Sequence, residues 1–200
     1  MIKPTSTSSK PTSTSSKPRL VAFLRGLNVG GHRVKMDKLK AIFEAAGHTG
    51  VSTYIASGNV IFDDVGAESP RARPALEPEL EAALRDALGY AVATFIRPLG
   101  AVATLAAPDW LEDVTADGFN VHIIFLKNAP DAAVLDGLAG LQSDDDQFRA
   151  VGDQVYWLRR GGLSDSPIKA HHLDKALQRW PNTIRTIKTA ARIAKKFGQM

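Results

Sequence analysis

"RLVAFLRGLNVGG" occupies Arg19–Gly31. As far as Val29 it is close to a continuous apolar run, the pattern of a strand buried on both faces. Its centre, "AFLRG" at Ala22–Gly26, returns 102 residues later as "IFLKN" at Ile124–Asn128: apolar, Phe, Leu, then a cation. A second block, "IASGNVIF" at Ile55–Phe62, returns 94 residues later as "RAVGDQVYW" at Arg149–Trp157, with one extra residue. Two matches in the same order and at nearly one offset predict that a unit is used twice.

The first copy reads clearly. Met36, Leu39, Ile42, Phe43 and Ala46 fall at helical spacing, with Asp37 as the expected cap and Gly47 as the stop. "VSTYIASGNVIFDD" predicts two strands, with Gly58-Asn59 as a primed hairpin turn. "SPRARPALEP" reads as a loop. "EPELEAALRDALG" reads as a helix with Pro78 in its first turn, a stripe of Leu80, Leu84 and Leu88, and Gly89 at its end. "AVATFI" closes the unit as a strand. The order β-α-β-β-α-β is that of the ferredoxin-like split unit. The expected fold is therefore α+β: two ferredoxin-like βαββαβ-type halves arising from an internal duplication, plus C-terminal helices. "PLGAVATLAAPDW" is expected to form the connecting helix. "IKAHHLDKALQRW" and "TIRTIKTAARIAKKFG" are expected to form the closing helices. The boundaries expected are a tail at 1–18, a first half at 19–109 and a second half at 110–200.

The tail, "KPTSTSSKPTSTSSKP", is a polar seven-residue repeat that buries nothing against its ordering entropy, so it reads as disordered. It lacks the apolar stretch of a secretory signal and the arginines and amphipathic stripe of a transit peptide. The chain has no cysteine, which removes disulfides, zinc-thiolate sites and thiol catalysis and suits a cytoplasmic protein. No window reaches the roughly 20 apolar residues of a membrane span. The net charge of +4 is uneven: residues 1–18 carry +3, residues 179–200 carry +6, and the body between carries −5. The basic balance is thus a tail and one C-terminal segment on an acidic body.

Gly26-Leu27-Asn28-Val29-Gly30-Gly31 meets the first part of the P-loop pattern, but His32-Arg33 stand where Lys-Ser/Thr is required. The missing residues argue against nucleotide hydrolysis. Asn28 also breaks the dinucleotide pattern. Two readings remain. The glycine amides, with Arg25, His32, Arg33 and Lys35 around them, can hold an oxyanion near the start of the next helix. Alternatively, Gly30-Gly31 only supplies positive φ for a strand-to-helix turn.

"LRGLNVGG", followed by V-x-M-x-x-L into a helix and then by "TYIASGNVIF", resembles the signature of a bacterial family, domain of unknown function 1697. The resemblance covers roughly Leu20 to Lys196. It implies two ferredoxin-like α+β units in one chain and no assigned reaction. The family's closing pattern, Thr-x-Arg-Asn-Trp-Asn-Thr, is matched here at Thr183, Arg185 and Thr189, while Thr186, Ile187 and Lys188 replace Asn-Trp-Asn.

Other candidates have plainer explanations. His171 and His172 are adjacent, so on a helix they diverge by about 100° and read as surface residues rather than a metal pair. His122 lies in an apolar strand and reads as packed. Ser164-Asp165-Ser166 lacks a nucleophile elbow and reads as a capping turn. "SDDDQ" at Ser143–Gln147 lacks the alternate spacing and glycine of a calcium loop. Arg185, Lys188, Arg192, Lys195 and Lys196 recur at helical spacing, so the segment either lies along phosphates or docks on the acidic body, the second needing no partner.

The leading expectation is a small-ligand protein with an anion-accepting site and neither metal nor cofactor. Arg25, Asn28, Gly30, Gly31, His32 and Arg33 supply it from the first loop. Tyr54, Ser57 and Asn59 join from the second block, and Arg185 and Thr189 are its outer members. The alternatives are an enzyme acting on an anionic metabolite, with His32 as base, and a nucleic-acid accessory protein using the tail and C-terminal helix.

Overall fold

The computed structural model of the chain describes residues 19–55, 58–64 and 73–198. The expected disordered tail, 1–18, and Ser57 lie outside the described residues. The first six elements are β1 (Arg19–Arg25), α1 (Met36–Ala45), β2 (Thr49–Thr53), β3 (Asn59–Asp63), α2 (Arg73–Leu88) and β4 (Ala93–Pro98). Two short helices, α3 (Leu99–Leu105) and α4 (Leu111–Ala116), connect them to the rest. The pattern then repeats as β5 (Phe119–Leu126), α5 (Ala132–Ala139), β6 (Asp146–Val151), β7 (Gln154–Arg160), α6 (Ala170–Ala176) and β8 (Asn182–Thr186), and α7 (Ile187–Phe197) ends the chain.

The strands form two antiparallel sheets, ordered β2-β3-β1-β4 and β6-β7-β5-β8. Position by position these are the same order. The molecule is α+β, as expected.

Side-chain alternation explains how the layers stack. Leu20, Ala22 and Leu24 of β1 face one way and pack with Leu39, Phe43, Leu76, Leu80 and Leu84 of α1 and α2. Val21 and Phe23 face the other way. Ile124 and Leu126 of β5 pack beneath α5 and α6, with Leu138, Leu173 and Leu177. Val121, Ile123 and Phe125 point back towards Val21 and Phe23, and α3 and α7 complete that shared middle core. Each sheet thus carries its own helices on its outer face. The inner faces meet, with Phe23 stacked on Phe125 at 4.2 Å. A near-continuous apolar run in β1 and β5 is what burial on both faces requires.

Several expectations need correction. Asn59 is not a turn residue: it opens β3 and is fully buried, and of the Gly58-Asn59 pair it is Gly58, at φ +76°, that takes the left-handed conformation. Helix α2 begins at Arg73, so the expected loop ends earlier and Pro78 lies inside the helix. Buried Leu76 carries the apolar stripe one turn further back, which outweighs the single backbone bond that proline forfeits. Asp37 does not cap α1: Lys35 is the N-cap, and Asp37 sits in the first turn. The segment 183–198 is not one helix. Its first residues form β8 and place Arg185 on a buried strand, and α7 starts only after Thr186, whose side chain accepts from Thr189 N–H. Finally, α7 docks through Ile187, Ala190, Ile193 and Phe197, not through its cations. Lys188, Arg192 and Lys195 are exposed and make no ion pair among the described residues.

Candidate functional site

Beyond β1 the backbone turns sharply. Gly30 and Gly31 take φ of +62° and +88°, and His32 N–H donates to Val29 O at 3.1 Å, a two-residue primed turn. Four residues, His32–Lys35, separate this turn from α1, so the glycine amides do not lie at the helix N-terminus. The loop is held by its own contacts. Asn28 Oδ1 accepts Val34 N–H at 2.9 Å, and His32 stacks on Tyr90 at 4.0 Å, whose hydroxyl donates to Leu27 O.

The loop borders two clefts. One, of about 470 Å³, is lined by Asn28, Gly31, His32, Arg33 and Val34. The other, about 340 Å³, opens where the end of β1 meets α6 and β8 of the second half. Among the described residues its charged lining is Arg25, Arg185 and Asp174, two cations against one carboxylate. Arg25 is half-exposed and pairs with Asp174 at 3.3 Å. The rest of the wall is uncharged: residues 24–29 of the first half, Arg25 apart, on one side, and Ala170, Leu173, Asn182, Thr183 and Ile184 on the other.

Arg185 is 8% exposed and ties the two halves together. Its Nε donates to Asn59 Oδ1 at 2.7 Å. Nη1 donates to Thr183 Oγ1 at 2.9 Å and to Ile184 O at 2.8 Å. Nη2 donates to Leu24 O at 2.9 Å and to Gly58 O at 3.2 Å. The guanidinium also lies over the Phe23 ring, 5.8 Å from its centroid. Burial pulls its pKa down from 12.5 to about 10, which leaves it charged at neutral pH. The sequence places Arg185 among the outer members of the anion site; it is instead a buried staple at the back of the cleft.

The same arrangement occurs once more, rotated into the other half. There Arg97 of β4 donates to Leu126 O at 2.8 Å, to Asp153 O at 3.2 Å and to Ile96 O at 2.8 Å, and lies over Phe125 at 5.4 Å. Position by position, Arg97 matches Arg185, Leu126 matches Leu24, and Phe125 matches Phe23. Lys127 matches Arg25, but this seam is filled. Glu77 of α2 sits between the cations, with Oε2 at 3.0 Å from Lys127 Nζ and Oε1 at 3.9 Å from Arg97 Nη1. Oε1 also accepts Ile96 N–H at 2.8 Å. Glu81 accepts Lys127 at 2.6 Å and Thr94 N–H at 2.8 Å, and the Asp153 carboxylate lies 3.3 Å from Arg97. Among the described residues, two cations meet three carboxylates here.

The other expected site residues divide. Asn59 joins the cleft from behind through Arg185. Gly30 is exposed at the turn tip and lines neither cleft. Tyr54 packs into the middle core against Phe197, rings 6.2 Å apart, with Lys196 Nζ over its face. Thr189 lies in the first turn of α7, bonded to Thr186, and lines neither cleft. The sequence reading missed Asp174, Ala170, Asn182 and Ile184. Among the described residues no group of three or more His, Cys, Asp or Glu gathers to hold a metal, and no helix is long and apolar enough to cross a membrane.

The fold is similar to that of the conserved bacterial protein SP0830 from Streptococcus pneumoniae, with a TM-score of 0.68 at 23% identity, over 92% of this chain and 100% of that one. No curated protein matches the chain. The model of the family described as "Protein of unknown function (DUF1697)" matches residues 18–156, and the chain belongs to that family.

Proposed function

We propose that this protein binds a small anionic ligand in the cleft between its halves, with Arg25 at the mouth and Arg185 behind. The observation that carries this reading is the charge of the cleft lining among the described residues, two cations to one carboxylate, set against a matching seam in which the described carboxylates outnumber the cations. An oxyanion in the open cleft would restore the balance that Glu77 supplies opposite. The cleft volume, about 340 Å³, lies at the small end of the roughly 300–1,000 Å³ typical of ligand pockets. In this reading the matched seams descend from an internal duplication of a ferredoxin-like unit, with the halves meeting near residues 109 and 110, and the protein works in the cytoplasm.

The test is thermal. Phosphate at tens of millimolar should raise Tm above a chloride control of matched ionic strength, by mass action. Phosphate, like sulfate, also stabilises proteins generally by exclusion from their surface, so the comparison that decides is between variants. Arg25→Ala should lose the phosphate-specific increment, while Arg33→Ala, in the cleft beside the glycine turn, and Arg192→Ala, on α7, should keep it. Loss with Arg33→Ala alone moves the site to the glycine turn. Equal responses of all three variants and wild type refute anion binding at either cleft.

A second reading is favoured by one observation: Lys188, Arg192 and Lys195 face solvent along α7 without ion pairs among the described residues. In that reading α7 lies on a nucleic-acid backbone, and affinity falls steeply with salt, with a slope near the number of phosphates contacted. Salt-insensitive or absent binding to a duplex oligonucleotide removes it.

A further inference from the structure

The two seams can be matched residue by residue, and the match identifies what the open one lacks. Strand register fixes the first correspondence: Ile96 pairs with Ala22 of β1, and Ile184 pairs with Ile124 of β5. The outer helices fix the second. "ELEAAL" at Glu79–Leu84 corresponds to "HLDKAL" at His172–Leu177, with Leu80 and Leu173 buried in the same role, as are Leu84 and Leu177. Glu81 then corresponds to Asp174, and Glu77, one turn earlier, to Ala170. Both of these second-half residues line the open cleft.

In the filled seam the Glu77 carboxylate does three things. It accepts the outward N–H of edge strand β4 at Ile96, it holds Lys127, and it lies beside Arg97. Alternate N–H groups of an antiparallel edge strand point away from their partner. Ile184, at the register position of Ile96, therefore turns its N–H away from β5, to the side that lines the cleft. Arg25 stands where Lys127 stands, and Arg185 where Arg97 stands. Ala170 leaves no side chain long enough to reach among them.

We propose that the cleft takes the carboxylate of a small organic acid, held where Glu77 holds its own: one oxygen on Ile184 N–H, with charge from Arg25 and Arg185. The proposal rests on the anion reading above and narrows it from any oxyanion to a carboxylate. The body of the acid is short and apolar, because Leu24, Leu27, Leu173 and the exposed Val29 line the same space. The planar two-oxygen group suits a site that elsewhere in this chain is filled by glutamate; Arg25 at the mouth can donate to it, while Arg185, its N–H groups held by Asn59, Thr183 and three backbone carbonyls, supplies charge alone.

The test follows backbone amide signals by NMR in the full chain, with butyrate, acetate and phosphate as probes. Butyrate should shift the Ile184 amide saturably and bind more tightly than acetate, by about three- to fourfold per buried methylene. Ala170→Glu should place a tethered carboxylate in the cleft. Its Ile184 amide should be displaced before any ligand is added, and should not respond to butyrate. His171→Glu adds the same charge one residue away and should titrate like wild type. The proposal is overturned if Ala170→Glu titrates like wild type, or if butyrate leaves Ile184 unmoved while phosphate shifts the amides around the cleft. In that last case the broader oxyanion reading stands; if no probe moves these amides, both fall.

Discussion

Arg25 and Lys127 occupy matching positions at the ends of the two central strands, and their surroundings differ sharply. Lys127 is fixed between Glu77 and Glu81 and also donates to Thr94 O. Among the described residues Arg25 has one ion pair, to Asp174, with both side chains over 40% exposed. One seam is closed by side chains of the chain itself. The other keeps the backbone cradle and the cations but leaves a cleft. In the same framework, the closed version holds the halves together and the open version offers a site.

The largest effect should come from opening the closed seam. Glu77→Ala strips a buried carboxylate from Lys127 and Arg97 and leaves Ile96 N–H without its acceptor. A loss of about 3–5 kcal/mol is expected, the scale for breaking a buried ion pair. Asp174→Ala, the matching change in the open seam, should cost below about 1 kcal/mol, as exposed pairs do. Urea denaturation of the two variants measures both. Equal losses would mean that the seams are energetically alike.

Next in size is a contrast between the two hairpins. Gly58 and Gly152 both adopt positive φ, so Val at either should cost about 1–3 kcal/mol in strain. A Cβ at Gly58 would also lie 3.1 Å from Leu24 Cβ, against the floor of the open seam, whereas at Gly152 it would meet only the movable amide of Gln154 at 3.3 Å. Gly58→Val should therefore show the lower denaturation midpoint. The reverse order would show that the Gly58 turn does not need its close approach to β1.

The smallest effect separates the seams from the rest of the second half. His122 is buried in β5, and burial lowers its pKa below 6.5 against the pull of the Trp157 and Asn120 backbone. Below about pH 6.5 the unfolded chain binds this proton and the native chain does not. Stability should therefore fall as pH drops from there towards the lowered native value, by up to about 1.4 kcal/mol per unit. His122→Phe should flatten that slope and leave butyrate binding unchanged. An unaltered slope would assign the acid sensitivity to other groups.

The repeated strand order was readable because β1, β3, β5 and β7 carry apolar runs too long and too regular to be loops. The end of the chain was misread because Arg185, Lys188 and Arg192 keep helical spacing across a strand-to-helix junction. The β-branched run Thr183, Ile184, Thr186 was the local sign of β8, and Thr186 was the sign of the cap. Asn59 was misplaced because Gly-Asn is a good turn pair in isolation, whereas here the Leu24 N–H to Gly58 O bond draws the end of the turn onto β1 and leaves Asn59 in the ladder. The cleft itself depends on residues far apart in sequence, Arg25 with Asp174 and Leu24 with Arg185. The one local clue, Glu77 against Ala170, gains meaning only when the two outer helices are aligned.

The most direct test of the account is a crystal of the full chain soaked in selenate, with the anomalous signal of selenium locating the anion. The account predicts a peak in the open seam, between Arg25 and Arg185 and near Ile184 N–H, and none in the seam closed by Glu77. A peak at the Gly30-Gly31 turn with none between the two arginines, or equal occupancy of both seams, would contradict it.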